Sequence, residues 1–165
     1  MAQQATASSR IASLILRIFT FILLLTSLIV LATNSIGSSD DDSKVRFTDF
    51  YAYRYMLATI VIGNAYSLLQ LVLTIFNIVR GGDGMPFLDF FGDKLISNLL
   101  ATGTGAGFAA TVDTKRLTDA DPRFESIDIG EFYDKAYASA SLLLLAFCST
   151  AMLSIISSYT LPKRV

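Results

Sequence analysis

The sequence predicts an all-α fold, a four-helix transmembrane bundle with up-down-up-down topology, and three observations carry that expectation. Four long apolar runs, at residues 11–33, 55–79, 86–112 and 136–161, hold most of the chain. Polar residues within three of them recur at steps of three and four, which keeps them on one helix face. Only two residues buried in the runs read as ionised, Arg17 in the first and Asp93 near the start of the third. A soluble bundle of this length carries charge along one face of every helix, and these runs do not.

Composition points the same way. Hydrophobic residues make up 53% of the chain and charged residues 16%, with a mean hydropathy of +0.55. Four spans and three loops use up the 165 residues, so one membrane domain, 1–165, is expected with no second folded unit. A net charge of −1 argues against a nucleic-acid partner, which leaves membrane lipid as the surrounding medium. The single cysteine, Cys148, lies in the fourth run, so no disulfide can form within the chain. The sequence contains neither an Asn-x-Ser/Thr sequon nor an N-terminal Met-Gly acylation signal.

The first run has 23 residues and makes a helix of about 34 Å, enough for a hydrocarbon core of about 30 Å. Arg10, Arg17 and the closing Val30-Leu31-Ala32 also fit a cleavable signal peptide. Two features oppose that alternative. The apolar stretch is long for a signal peptide, and a removed segment has no use for the polar stripe Ser13, Arg17, Thr20, Ser27 and Asn34. An outer loop, 34–54, then holds the acidic run Asp40, Asp41 and Asp42 and an aromatic stretch from Phe47 to Tyr53.

The second run carries the stripe Gly63, Ser67, Gln70, Thr74 and Asn77. A tight connector, 80–85, ends at Pro86, a residue suited to the first turn of the third helix. That helix carries Asp93, Ser97, Thr104 and Thr111 on one face, and in lipid such stripes belong inside a bundle. It is also rich in small residues, and Gly103-x-x-x-Gly107 permits close helix contact, either inside the protomer or between protomers. The second outer loop, 113–135, has seven acids and four bases. The fourth run offers Ser139, Ala140, Ala146, Ser149, Thr150, Ser154 and Ser157 for ordinary bundle packing. Aromatic clusters at 47–55, 87–91 and 132–137 read as interfacial belts.

Depth relates the two charges. Arg17 lies six residues past Ile11 and Asp93 seven past Pro86, on helices that run parallel. Both therefore sit about 9–10 Å from the same membrane face. A lone Arg or Asp near mid-membrane costs on the order of 2.5–3.5 kcal/mol, so an intramembrane ion pair resolves both. In the alternative arrangement Arg17 snorkels and Asp93 begins a shorter helix at the interface. The charge rule leaves orientation open. Four bases lie on the terminal side (Arg10, Arg80, Lys163, Arg164) and seven on the loop side.

Catalysis finds little support. Histidine is absent, and with it the usual base and the commonest metal ligand. Cys148 sits among apolar neighbours, where a thiol is inert. The Asp40–42 run lacks the spacing of a calcium-binding loop, and Gly81-Gly82-Asp83-Gly84 lacks the Lys-Ser/Thr of a phosphate loop. The residues point to no enzyme, cofactor or metal.

Several segments together resemble one family. They are Leu16-Arg17 in a first span closing on Ala32-Thr33-Asn34, Tyr53-Arg54-Tyr55 leading to Ala65-Tyr66-Ser67-Leu68-Leu69-Gln70, Asp93-Lys94 followed by Leu99-Leu100 and a small-residue tract, and a Ser/Leu-rich fourth span. The whole chain is similar to the Casparian strip membrane domain protein-like (CASP-like) family, relatives of the MARVEL four-helix proteins. That family's hallmark Arg and Asp fall here at Arg17 and Asp93. The resemblance implies a plant plasma-membrane protein with both termini in the cytosol. It also implies self-association into homo- or hetero-oligomers and a scaffold that gathers cell-wall-modifying enzymes. The first loop lacks the motif of the strip-forming founders and the second lacks cysteine, so the resemblance reaches the broad family. The expected function is a non-enzymatic scaffold of a membrane domain. Its rival is a small channel or transporter, or an accessory subunit of one, using the polar interior.

Overall fold

A computed structural model describes residues 2–36, 45–46, 51–80, 86–120 and 130–160. The Asp40, Asp41 and Asp42 run, residues 47–50 and the connector residues 81–85 lie outside these. Four helices form the molecule: α1 (Ala2–Ala32), α2 (Tyr51–Arg80), α3 (Pro86–Asp119) and α4 (Gly130–Thr160). Each contains a segment long and apolar enough to cross a membrane. After α1, Ser35–Ile36 pairs antiparallel with Val45–Arg46, with Ser35 opposite Arg46.

The helices pass the apolar runs at most ends. Helix α3 continues seven residues beyond 112, and α4 starts six before 136. Apolarity marks where lipid begins, whereas a helix propagates into water as long as nothing breaks its backbone pattern. Two contacts support the extension. Lys135 Nζ lies 2.7 Å from Glu131 one turn back, and the Thr118 and Tyr133 hydroxyls bond at 2.7 Å, tying the end of α3 to the start of α4. Helix α1 closes differently. The Asn34 N–H donates to Leu31 O, tightening the last turn, and its side-chain amide donates to Phe132 O of α4 at 3.0 Å.

The main packing joins α1 to α2 and α4, and α3 to α2 and α4, so the helices form a closed ring with α1 and α3 on one diagonal. The outward faces are largely apolar, as lipid favours, for example Ile11, Ile15, Ile18, Ile22, Leu25 and Ile29 on α1. Inside, the waist is built from Leu24, Ile60, Leu100 and Leu143, one from each helix and all fully buried. Gly63 makes room for it: a Cβ there would stand 2.9 Å from a Leu100 methyl and 3.2 Å from one of Leu24. Between waist and outer end, Ser27 and Ser139 join α1 to α4 reciprocally. Each hydroxyl donates to the other's carbonyl, at 2.9 and 3.0 Å.

The outer end corrects one expectation. Phe132 and Tyr133 were expected in an interfacial belt, yet both are buried, as is Tyr53. Tyr53 and Phe132 meet edge to face at 6.0 Å, and the Tyr53 hydroxyl reaches Thr111 at 2.9 Å. Because α3 and α4 continue past the apolar runs, these rings cap the bundle interior, while Tyr51 and Tyr55 take the exposed positions.

Gly103 and Gly107 both face α2. A Cβ at Gly103 would collide with Thr59 Oγ1, and one at Gly107 would lie 2.6 Å from Met56 Sδ. Gly105, on the opposite side, has open space around it. Gly103→Ala is therefore expected to destabilise the bundle by about 1–3 kcal/mol through overpacking. Gly105→Ala should leave the monomer at least as stable, since alanine favours helix. Detergent-titration unfolding midpoints in bicelles check the pair, and equal midpoints would contradict the packing described.

Candidate functional site

The polar stripes of α1, α2 and α3 meet inside the ring. Arg17, Thr20 and Ser27 are buried on α1 and Asn34 just past its end, Ser67 and Gln70 on α2, and Asp93, Ser97, Thr104 and Thr111 on α3. Ser13, Thr74 and Asn77 are half-buried nearer the terminal end. Most of the threonines are satisfied within their own helix. Thr20 donates to Leu16 O, Thr74 to Gln70 O, Thr104 to Leu100 O and Thr111 to Gly107 O, all at 2.7–2.8 Å. Such hydroxyls tolerate a dry interior without any partner across the bundle.

Arg17 and Asp93 need partners, and they have each other. Arg17 Nη1 donates to Asp93 Oδ1 at 3.3 Å and Nη2 to Oδ2 at 3.2 Å, a two-pronged pairing of a guanidinium with a carboxylate. Both groups are out of reach of surroundings, with Arg17 at 4% and Asp93 at 0% exposure. Asp89, one turn earlier on α3 and 33% exposed, lies 3.9 Å from the guanidinium.

The other two helices complete the carboxylate's shell. The Tyr66 hydroxyl of α2 donates to Asp93 Oδ1 at 2.8 Å, and the Ser157 hydroxyl of α4 donates to Oδ2 at 3.1 Å. Gln70 Nε2, one turn along α2, donates to the Tyr66 oxygen at 2.9 Å. The proton order is thus fixed: Gln70 to Tyr66 to Asp93. Each carboxylate oxygen accepts two bonds, and all four helices contribute. An Asp so surrounded has no lone pair conveniently open for a substrate, and the cluster is suited to locking helices rather than to acid–base work.

Sequence reasoning placed Gln70 on a stripe and Ser157 in a packing set without linking either to Asp93, and it gave Tyr66 no role at the pair. Tyr66 precedes Gln70 by four residues, the spacing of side chains stacked on one helix face, which is the signal that could have found it. Gly92 had no such signal. A Cβ there would collide with the Tyr66 hydroxyl, so only glycine leaves the slot through which that hydroxyl reaches Asp93.

Four membrane-length helices joined through a buried ion pair define a polytopic membrane protein. The family profile of the Casparian strip membrane protein domain matches residues 6–149, and the chain belongs to that family. It is 52% identical to a CASP-like protein 4D1 of Ricinus communis, over 96% of this chain and 95% of that protein. It is 46% identical to a CASP-like protein 4D1 of Glycine max (97% and 92% covered) and to a CASP-like protein 4D2 of Arabidopsis thaliana (95% and 93% covered). No solved structure matches the chain.

Removing one partner of a buried pair typically costs about 3–5 kcal/mol. Arg17→Leu and Asp93→Leu should each lower stability by that order. The double-leucine variant should fall short of their sum by about 1 kcal/mol or more. The charge-swapped double, Arg17→Asp with Asp93→Arg, should reach the cell surface better than either single, because Tyr66 and Ser157 oxygens can also accept from an arginine. Equal damage in singles, double and swap would show that the pair does not couple.

Proposed function

We propose that the chain is a non-enzymatic scaffold of the plasma membrane, with both termini in the cytosol, that self-associates and organises a membrane domain. The observation that carries this reading is the sealed interior. The charges are paired, most interior threonines are satisfied in their own helices, and the fully buried waist of Leu24, Ile60, Leu100 and Leu143 separates the Arg17–Asp93 layer from the outer aromatic cap. A conducting path through one protomer would have to cross that apolar layer, which weighs against the channel reading. What remains for interaction is the lipid-facing surface and the outer segments.

Family membership supports the same reading. Self-association would run through the outward helix faces. The chain beyond α1 and between α3 and α4 would meet the cell wall and any wall-modifying partners. A tagged copy in plant plasma membrane is expected to recover slowly and incompletely after photobleaching. Proteoliposomes of the pure protein are expected to show no ion flux above empty vesicles. Fast, complete recovery together with measurable flux would overturn the scaffold in favour of a pore.

A further inference from the structure

The outward faces of the four helices are not alike. On α1 the lipid-facing positions are mostly Ile, Leu and Phe, the exposed Thr26 donating to Ile22 O of its own helix, and α4 presents Leu144, Leu145, Met152 and Ile155 beside Ser141 and Cys148. Helix α3 begins with exposed Phe91 and Leu95 around Lys94, whose ammonium lies 5.7 Å from the Phe90 ring centroid, then changes. Its next exposed positions are Asn98, Thr102, Gly105 and Ala109, at steps of four, three and four on one face. Counting about 1.5 Å per residue along the span Leu88–Thr118, Asn98 to Gly105 lies in its central third, at hydrocarbon depth. This span is also the least apolar of the four.

Asn98 is the anomaly. Its carboxamide points out of the bundle and takes part in none of the hydrogen bonds among the described residues. Asn64, part-buried on α2, donates its amide to Ile60 O of its own helix, although its Oδ1 has no partner. A side chain as short as asparagine cannot reach headgroups from mid-span, so its two donors and its acceptor face lipid tails. Thr102 beside it is anchored, its hydroxyl donating to Leu99 O at 2.8 Å and bonded to the exposed Tyr55 hydroxyl of α2 at 2.8 Å. Gly105 is equally unexplained by the protomer. Gly63, Gly92, Gly103 and Gly107 each make room for a neighbour, whereas a Cβ at Gly105 would meet nothing within 4 Å.

We propose that this face of α3 is the contact between two copies of the chain, with Asn98 its polar centre and Gly105 the point of close approach. The proposal rests on the self-associating reading above and names its surface. An amide is self-complementary. Across a two-fold axis along the membrane normal, the N–H of each Asn98 donates to the C=O of the other, so one residue type satisfies both sides. The absence of a side chain at Gly105 and the small Ala109 let the two backbones close far enough for those bonds to form. Tyr55, held by Thr102, flanks the contact.

The test uses the full chain in phosphatidylcholine liposomes with Cys148→Ser as background. Ala109→Cys reports the α3 face and Ile22→Cys the α1 face, each by mercury cross-linking, while energy transfer between labelled copies reports association through any face. The expected result is cross-linking through position 109 and not through 22. Asn98→Leu and Gly105→Leu should each reduce it about tenfold while leaving the unfolding midpoint of the monomer intact. Cross-linking at 109 that both variants leave unchanged overturns the proposal. Energy transfer with cross-linking only at 22 overturns this face and leaves the scaffold standing. No energy transfer at any lipid ratio overturns both.

Discussion

A carboxylate buried in a membrane bundle must be neutralised and its oxygens must be hydrogen-bonded, and meeting both demands at Asp93 fixes how the four helices sit. The guanidinium arrives from α1, across the diagonal, which requires Arg17 and Asp93 to lie at matched depths on their helices. The remaining lone pairs take hydroxyls from the other diagonal, Tyr66 of α2 and Ser157 of α4. The register of every helix is therefore referred to one group. Sliding any helix by a turn, about 5.4 Å, breaks a bond that lipid cannot replace. Gly92 belongs to the same constraint, since the ring of Tyr66 passes over it to reach the carboxylate. Lipid supplies little hydrophobic drive between helices, so such directional contacts carry specificity that a soluble core draws from burial.

The far half of the bundle is held by weaker means of the same kind. Ser27 and Ser139 exchange bonds with each other's carbonyls, Asn34 holds the start of α4, and the Tyr53–Thr111 and Thr118–Tyr133 hydroxyl pairs tie α3 to its neighbours. Between these polar levels lies a waist of leucine and isoleucine with no polar function. Two polar levels separated by an apolar one fit the proposed scaffold better than a pathway through the protomer. That arrangement makes the outside of the molecule the place to look for function.

The fold was legible because lipid simplifies the code. Four apolar runs, a proline at a helix start and steps of three and four suffice when only closed hydrogen-bonded helices can cross. The depth argument that set Arg17 level with Asp93 used nothing beyond helical rise. Helix ends were less legible: hydropathy locates the interface, and α3 and α4 pass through it. The inward turn of Phe132 and Tyr133 followed from that overrun, because residues taken to sit at the headgroups were already part of a helix packed on its neighbours. Tyr66 and Gly92 were hidden for a different reason. Their roles depend on which helices are adjacent around the ring, and periodicity within one helix carries no information about that.

The same simplification makes exceptions informative. In water an exposed asparagine or glycine needs no explanation, since solvent satisfies the one and ignores the other. At hydrocarbon depth an unpaired amide is a standing penalty, and a glycine with nothing beside it gives up helix propensity for no gain within the protomer. The bundle interior resolves its largest tensions locally: the buried glycines Gly63, Gly103 and Gly107 each admit a neighbour, and the paired charges absorb each other. On the outer face of α3 the account stays open within a single chain, while a second copy closes it with the groups already present. The lock at Asp93 matters here as well. By fixing the rotation of α3 within the ring, it holds that face turned outward, so the interior pair also aims the surface through which a scaffold would assemble.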